Sequence, residues 1–296
     1  MTQTLAGTLP VLLTPFTDEE KIDFDSLENL TAWTLQRQIG GLVLFGLGGE
    51  GYKLTDEERM SILKVVSAVN NGAVPLIVAI DQPSTAAAVS LAAQVVDAGA
   101  SAVMCRGAAG IRPSDSGVVN YFSEIAASIP VPVVIQDLPM PSGWGMSAEF
   151  LSNICNSSGI SHVKVESAPT PEKMSSIQRL SNRPLSLFGG LGGRYYFEEL
   201  NRGAVGVMPG CLFTNIFTEI RDKYISKDLS SASEIFYHNL PLMVFSEGVD
   251  MLVSLHKRTL HKIGVIASPV SRGPCAGADN QTGQSWDALV AKILGW

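Results

Sequence analysis

The chain has 296 residues, 46% of them hydrophobic and 17% charged, with a formal net charge of −7. This composition excludes a disordered chain, and an acidic balance with no basic run argues against nucleic acid or an anionic membrane surface as the partner. The four cysteines, Cys105, Cys155, Cys211 and Cys275, form no CxxC pair, a pattern of reduced thiols rather than of disulfides or a zinc site. The start of the chain lacks a basic segment followed by an apolar one, and no apolar run approaches the roughly 20 residues of a membrane span. A soluble, cytoplasmic protein is expected, with neither membrane nor nucleic acid as a partner.

Short apolar runs predict strands at Leu9–Leu13, Gly41–Phe45, Pro75–Ile80, Ala102–Cys105, Pro132–Gln136, Ile160–Val165, Leu185–Phe188 and Ala204–Met208. Amphipathic stretches between them predict helices over Phe24–Gln38, Thr55–Asn70, Ser84–Ala98, Asp115–Ser128, Ser147–Cys155 and Thr170–Leu180. Thr55 with Glu58 three places on reads as a capping box, and Ser147 as a helix start. Eight strands alternating with helices at intervals of about 20–30 residues suggest a parallel sheet, and eight is the number that closes a barrel. An open doubly wound sheet is the competitor, but no GxGxxG follows the first strand.

After Met208 the alternation ends. Asn215–Ser226 is the expected eighth helix of the barrel. Leu229–Phe245, Gly248–Gly264 and Ser285–Leu294 read as further helices, the last two separated by a Pro/Gly-rich loop over Ser268–Gly283. The expectation is a single structural domain of class α/β: a (β/α)8 TIM barrel over residues 1–226 with a C-terminal helical appendage, residues 227–296, packed on it.

In such a barrel, reacting groups sit at the C-terminal strand ends and in the loops that follow. The sixth strand, Ile160–Val165, carries Lys164, with Glu166 just beyond it. Side chains alternate along a strand, so His162, Lys164 and Glu166 share a face. The strand alone fits either a lysine held in a poorly solvated interior or an edge lysine reaching out to water. Gly46-Leu47-Gly48-Gly49-Glu50-Gly51 after the second strand reads as a nest of backbone N–H groups for a carboxylate or phosphate, or as a plain loop. Arg106 follows the fourth strand, Gln136-Asp137-Leu138-Pro139 ends the fifth, and Phe188-Gly189-Gly190-Leu191-Gly192-Gly193 ends the seventh, where small residues leave room for a ligand.

Three of these features together resemble the dihydrodipicolinate synthase/N-acetylneuraminate lyase family: Gly46-Leu47-Gly48-Gly49-Glu50, a four-residue unit ending in Pro139, and a lysine 28 residues beyond Gln136. The resemblance runs from about Leu9 into the C-terminal helices. It implies a (β/α)8 barrel whose Lys164 forms a Schiff base with the C2 carbonyl of a 2-oxo acid. It also implies that the substrate carboxylate rests on the backbone amides of Leu47 and Gly48 beside Gly49. Gly189 and Met208 fall among the substrate-binding positions, no cofactor is implied, and a homotetramer or homodimer is expected.

The departures are as informative. The family's two threonine positions are Leu47 and Gly48, and its tyrosine on the fifth strand is Gln136, which has no titratable proton and so can orient a group but cannot act as acid or base. The arginine that follows the proline in dihydrodipicolinate synthases falls near Pro141, and their tyrosine pair near Ala109 and Gly110. These losses argue against that synthase's own activity and against sialic acid cleavage. Gln136-Asp137-Leu138-Pro139 together with Lys164-Val165-Glu166-Ser167 is similar to the L-2-keto-3-deoxyarabonate dehydratase branch, which implies loss of water from a 2-keto-3-deoxy sugar acid.

The chemistry needs an uncharged amine, and a lysine in water titrates near about 10.4. Its iminium withdraws electrons from C3, either to expel a C4 hydroxyl or to accept the pair released by C3–C4 cleavage. With the tyrosine gone, Glu166, His162 and water are the candidate acids and bases. Glu166 lies nearer the catalytic end of the strand, while His162 fits a core histidine better than a catalytic one. Asp137 is either a substrate contact or an acceptor for loop groups, and Arg106 either grips a distal acidic group or forms a loop salt bridge. His238, His256 and His261 suggest no metal cluster. A dehydratase leads, a pyruvate-releasing aldolase is the rival of the same class, and a metabolite-binding protein without turnover is the rival of another.

Overall fold

Runs such as Leu76-Ile77-Val78-Ala79 offer water no polar face, so they belong where both sides of a sheet are covered, the usual setting of a parallel sheet. In the computed structural model, which describes residues 5–107, 112–139 and 143–296, that is where they lie. The strands are β1 (Gly7–Thr8), β2 (Leu42–Leu44), β3 (Leu76–Ala79), β4 (Ala102–Cys105), β5 (Val133–Asp137), β6 (His162–Val165), β7 (Ser186–Gly189) and β8 (Gly206–Val207). They form one parallel sheet in the order β1-β8-β7-β6-β5-β4-β3-β2.

Between the strands run α1 (Phe24–Leu35), α2 (Asp56–Asn70), α3 (Thr85–Asp97), α4 (Asp115–Ser128), α5 (Ala148–Ser158), α6 (Thr170–Leu180) and the short α7 (Tyr196–Leu200). After β8 come α8 (Thr214–Ile225), α9 (Leu229–Phe245), α10 (Val249–Lys262) and α11 (Asn280–Leu294). The helix starts follow side-chain chemistry. Ser84, Ser114 and Ser147 each accept a backbone N–H three residues on. Thr55 and Glu58 cap reciprocally, Glu58 N–H to Thr55 Oγ1 at 3.2 Å and Thr55 N–H to Glu58 Oε2 at 3.0 Å. The result is a TIM-barrel-like α/β fold followed by C-terminal helices.

Two elements differ from the sequence reading. The first strand is expected at Leu9–Leu13 but regular pairing covers only Gly7–Thr8, because Pro10 has no N–H to give to a ladder. The segment nevertheless continues beside its neighbours, with Leu9 N–H on Val207 O at 2.8 Å and Val11 N–H on Pro209 O at 2.7 Å. On its other side Val43 N–H donates to Pro10 O and Leu12 N–H to Val43 O, both at 2.9 Å, and Val11 bridges both Val43 and Gly210. The second difference is α11, which starts at Asn280 rather than Ser285 because the Asp279 carboxylate caps Thr282 N–H at 2.7 Å.

The C-terminal helices are not peripheral to the strand ends. Helix α9 packs along α8, while α10 lies over the turn at residues 47–49. The four cysteines are free thiols, three of them buried. Among the described residues no helix is long and apolar enough to cross a membrane, and no group of three or more His, Cys, Asp or Glu side chains is arranged to hold a metal ion. The positions near Ala109, Gly110 and Pro141 lie outside the described residues.

Candidate active site

Parallel pairing places Lys164 of β6 directly beside Gln136 of β5 and Phe188 of β7. All three are buried, Lys164 with 4% of its surface exposed. Glu166 follows the strand and keeps to its neighbour through Glu166 N–H on Asp137 O at 3.0 Å. Its carboxylate is held from three sides. Oε2 accepts from the Gln136 amide at 2.5 Å, Oε1 accepts from Leu191 N–H at 3.0 Å, and Oε1 lies 3.4 Å from Lys164 Nζ.

These groups open onto a cavity of about 240 Å³ at the C-terminal ends of the strands, below the roughly 300–1,000 Å³ typical of drug-sized sites and sized for a small metabolite. Its polar wall is Gln136, Lys164, Glu166, Arg194, Ser246 and Glu247; much of the remainder is apolar, including Val11, Leu47, Leu138, Met208, Met243 and Leu252. Leu47 and Gly48 begin a tight 3-10 turn at Leu47–Gly49, and the first N–H groups of such a turn have no acceptor within it. Neither Leu47 N–H nor Gly48 N–H donates to a backbone acceptor among the described residues.

The structure thus gathers Lys164, Glu166, Gln136, Leu47, Gly48 and Met208 around one cavity, and the other candidate positions lie elsewhere. Arg106 is turned away: its Nε donates to Asp81 Oδ2 at 2.8 Å while its backbone N–H donates to Asp81 Oδ1 at 3.0 Å. It lines a separate cavity of about 270 Å³ with Tyr52, Arg59 and Asp81. Asp137 faces the opposite side of β5 from Gln136, as strand alternation requires. Its carboxylate pairs with Lys173 Nζ at 2.7 Å and accepts from Ser167 Oγ at 3.1 Å. Burial pushes that carboxyl up, against the opposing pull of Lys173.

Gly49 and Gly189 do steric work outside the cavity lining. A Cβ on Gly49 would stand 2.7 Å from Leu12 O, and one on Gly189 would stand 1.9 Å from Glu199 Oε2. His162 sits deeper on β6, its ring stacked at 6.4 Å on Phe188 and its imidazole pushed toward the neutral form by burial.

Sequence reasoning missed Arg194, Glu247, Leu252 and the neighbours of the α9–α10 junction. No local signal marks them. Glu247 and Leu252 reach the cavity because the α9–α10 segment folds over the strand ends, and Arg194 stands directly after the glycine-rich turn that follows β7. It missed as well the role of Glu50, which is wholly buried and anchors the 46–51 loop: Lys257 Nζ donates to its Oε1 at 2.5 Å, and Lys53 Nζ and Arg272 N–H donate to its Oε2 at 2.9 and 3.1 Å.

Comparison with known proteins agrees with this architecture. The family model described as Dihydrodipicolinate synthetase family matches residues 4–293. A 4-hydroxy-tetrahydrodipicolinate synthase of Oceanobacillus iheyensis is 28% identical over 237 residues, covering 79% of this chain and 80% of its own length. A protein of the same name from Corynebacterium urealyticum is 28% identical over 239 residues, covering 80% and 78%. The crystal structure of a dihydrodipicolinate synthase from Rhodopseudomonas palustris superposes with a TM-score of 0.91 at 28% identity, covering 99% of each chain.

Proposed function

Because this chain belongs to the dihydrodipicolinate synthetase family, a family of lyases, we propose that it is a Schiff-base lyase for a small 2-oxo acid, a dehydratase of a 2-keto-3-deoxy sugar acid of the L-2-keto-3-deoxyarabonate type. The observation that carries this reading is the buried Lys164 amine bordering a cavity, 3.4 Å from a carboxylate that Gln136 and Leu191 hold in place. We read the sheet as a closed (β/α)8 barrel, supported by the bridging of Val11 to both Val43 and Gly210. We also read the protein as cytoplasmic and as a homotetramer or homodimer, with no cofactor.

The residues act in sequence. The substrate carboxylate rests on the N–H groups of Leu47 and Gly48, which brings C2 to Lys164. Nζ forms a bond to C2, and the carbonyl oxygen leaves as water. Glu166 removes a proton from C3, the electron pair moving toward the iminium. The C4–O bond then breaks, Glu166 returning its proton to the departing hydroxyl, which leaves as water. Addition of water to C2 frees the product and restores the amine. Gln136 has no proton to exchange, and its amide fixes the orientation of Glu166.

Borohydride reduction in the presence of a turned-over 2-keto-3-deoxy acid tests the assignment by adding a stable mass to Lys164. A label on another lysine, or none during turnover, overturns it. Pyruvate release, followed with lactate dehydrogenase, separates the aldolase from the dehydratase, which frees no three-carbon fragment. A second reading is favoured by the name shared by the 28% identical relatives; formation of 4-hydroxy-tetrahydrodipicolinate by the purified protein would select it.

A further inference from the structure

Two charged groups on the cavity wall have no part in the chemistry above. Arg194 follows the turn at Leu191–Gly193, whose Leu191 N–H holds Glu166. Glu247 lies between α9 and α10, and its Oε1 pairs with Arg194 Nη1. Both line the same cavity as Lys164. The third polar group on this side, Ser246, donates its hydroxyl proton to Leu242 O at 2.9 Å. Arg194 Nε, by contrast, is buried with no hydrogen-bond acceptor among the described residues, although buried donors are almost always matched.

We propose that Arg194 and Glu247 bind the hydroxylated tail of the 2-oxo acid, the end remote from the carbonyl, and thereby select the substrate. The inference rests on Lys164 being the Schiff-base residue. With the carboxylate on Leu47 and Gly48 and C2 on Lys164, the tail meets the remaining wall, where the charged groups left are this pair. An arginine already neutralised by a glutamate offers a donor and an acceptor with no net charge. A hydroxyl, which both donates and accepts, matches that pairing. A second carboxylate would have to displace Glu247, and an alkyl tail would offer the pair neither a donor nor an acceptor.

Borohydride trapping at Lys164 tests this with three probes: pyruvate, which has no tail, a 2-keto-3-deoxypentonate, and 2-oxoglutarate, whose tail is anionic. In the unaltered protein the pentonate should half-saturate labelling at a lower concentration than 2-oxoglutarate. Arg194→Met should raise the half-saturating concentration of the pentonate about 10- to 100-fold, the range of one charge-assisted hydrogen bond, and leave that of pyruvate unchanged. Glu247→Gln, at a more exposed position, should move the pentonate alone and in the same direction, which keeps the test open if Arg194→Met misfolds.

Equal losses for pyruvate and pentonate, or no change for either, overturn the tail assignment while Lys164 remains labelled. Tighter use of 2-oxoglutarate that Arg194→Met abolishes overturns the hydroxyl class in favour of an anionic tail. If no probe labels Lys164 in the unaltered protein, the lysine reading itself falls and this proposal with it.

Discussion

Two buried lysine–glutamate pairs, Lys257–Glu50 and Lys164–Glu166, have been given opposite surroundings. Lys257 has its donors occupied: Glu50 at 2.5 Å, Val270 O at 2.9 Å, and the face of Phe16 with its ring centroid 4.4 Å away. Glu50 accepts from Lys53 and Arg272 as well, and the cluster ties the 46–51 loop to the segment after α10. Burial still pushes the Lys257 amine down to about 8, with Glu50 opposing. Lys164 meets Glu166 at 3.4 Å and otherwise borders open space. A charged pair with matched donors and acceptors holds a fold together, whereas one that keeps donors for a visitor can do chemistry on it.

The comparison can be broken most sharply at the two lysines themselves. Lys164→Met should abolish turnover, by at least about 10⁴-fold as for a lost nucleophile, while unfolding free energy stays within about 1 kcal/mol of the parent or rises, as is common when a functional site is blunted. Denaturant melts alongside single-turnover assays check both halves. Glu166→Gln should lower kcat by about 10²–10⁴-fold, with pyruvate still trapped on Lys164 by borohydride. Loss of trapping would make Glu166 a support for the lysine rather than the acid–base group.

Lys257→Met is the converse. Leaving Glu50 without its main cation should cost about 3–5 kcal/mol and lower Tm by roughly 10 °C, while trapping at Lys164 persists at temperatures where the variant is folded. A stable but unlabelled variant would erase the distinction drawn between the pairs.

Glu199 shows what a buried carboxyl does when no cation pairs with it among the described residues. Among the described residues its hydrogen bond is from Thr170 Oγ1 at 2.5 Å, and burial raises it from 4.5 to about 8. The folded protein therefore keeps a proton that the unfolded chain has already released, so this contribution to stability is present below pH 4.5 and is lost as pH rises toward 8. Its slope reaches about 1.4 kcal/mol per pH unit, and Glu199→Gln should flatten it in pH-dependent melts. The smallest effect expected is Thr55→Ala, about 1 kcal/mol from loss of the cap, measured by the same melts. It disturbs the helix whose Glu58 holds Arg272, and should leave Lys164 chemistry untouched.

Much of this was legible from local pattern. Strands β2 to β8 lie within two or three residues of the apolar runs that predict them, because a strand covered on both faces leaves a continuous hydrophobic signature. The Lys164–Glu166–Gln136 grouping was legible because two adjacent strands in register bring their ends together. Arg106 and Asp137 show the limit: both stand in loops or at strand ends of the right kind, yet each turns toward a partner, Asp81 or Lys173, that sequence spacing does not reveal. Arg194 and Glu247 were invisible for a related reason, since their meeting depends on how α9 and α10 fold back over the sheet. Lys257, in the middle of an amphipathic helix, carries no local mark of its long-range partner Glu50.

Gly190 makes room for Glu166 by having no side chain at all. A single added carbon there would fall 2.3 Å from Glu166 Cγ and 2.4 Å from its Oε1, and those atoms can swing aside more cheaply than backbone. Replacing this glycine by alanine should therefore push the Glu166 carboxylate out from between the Gln136 amide and the Lys164 amine. One methyl group at position 190 would act as a steric off-switch, disarming the proposed proton carrier while leaving the identities of Lys164, Glu166 and Gln136 unchanged.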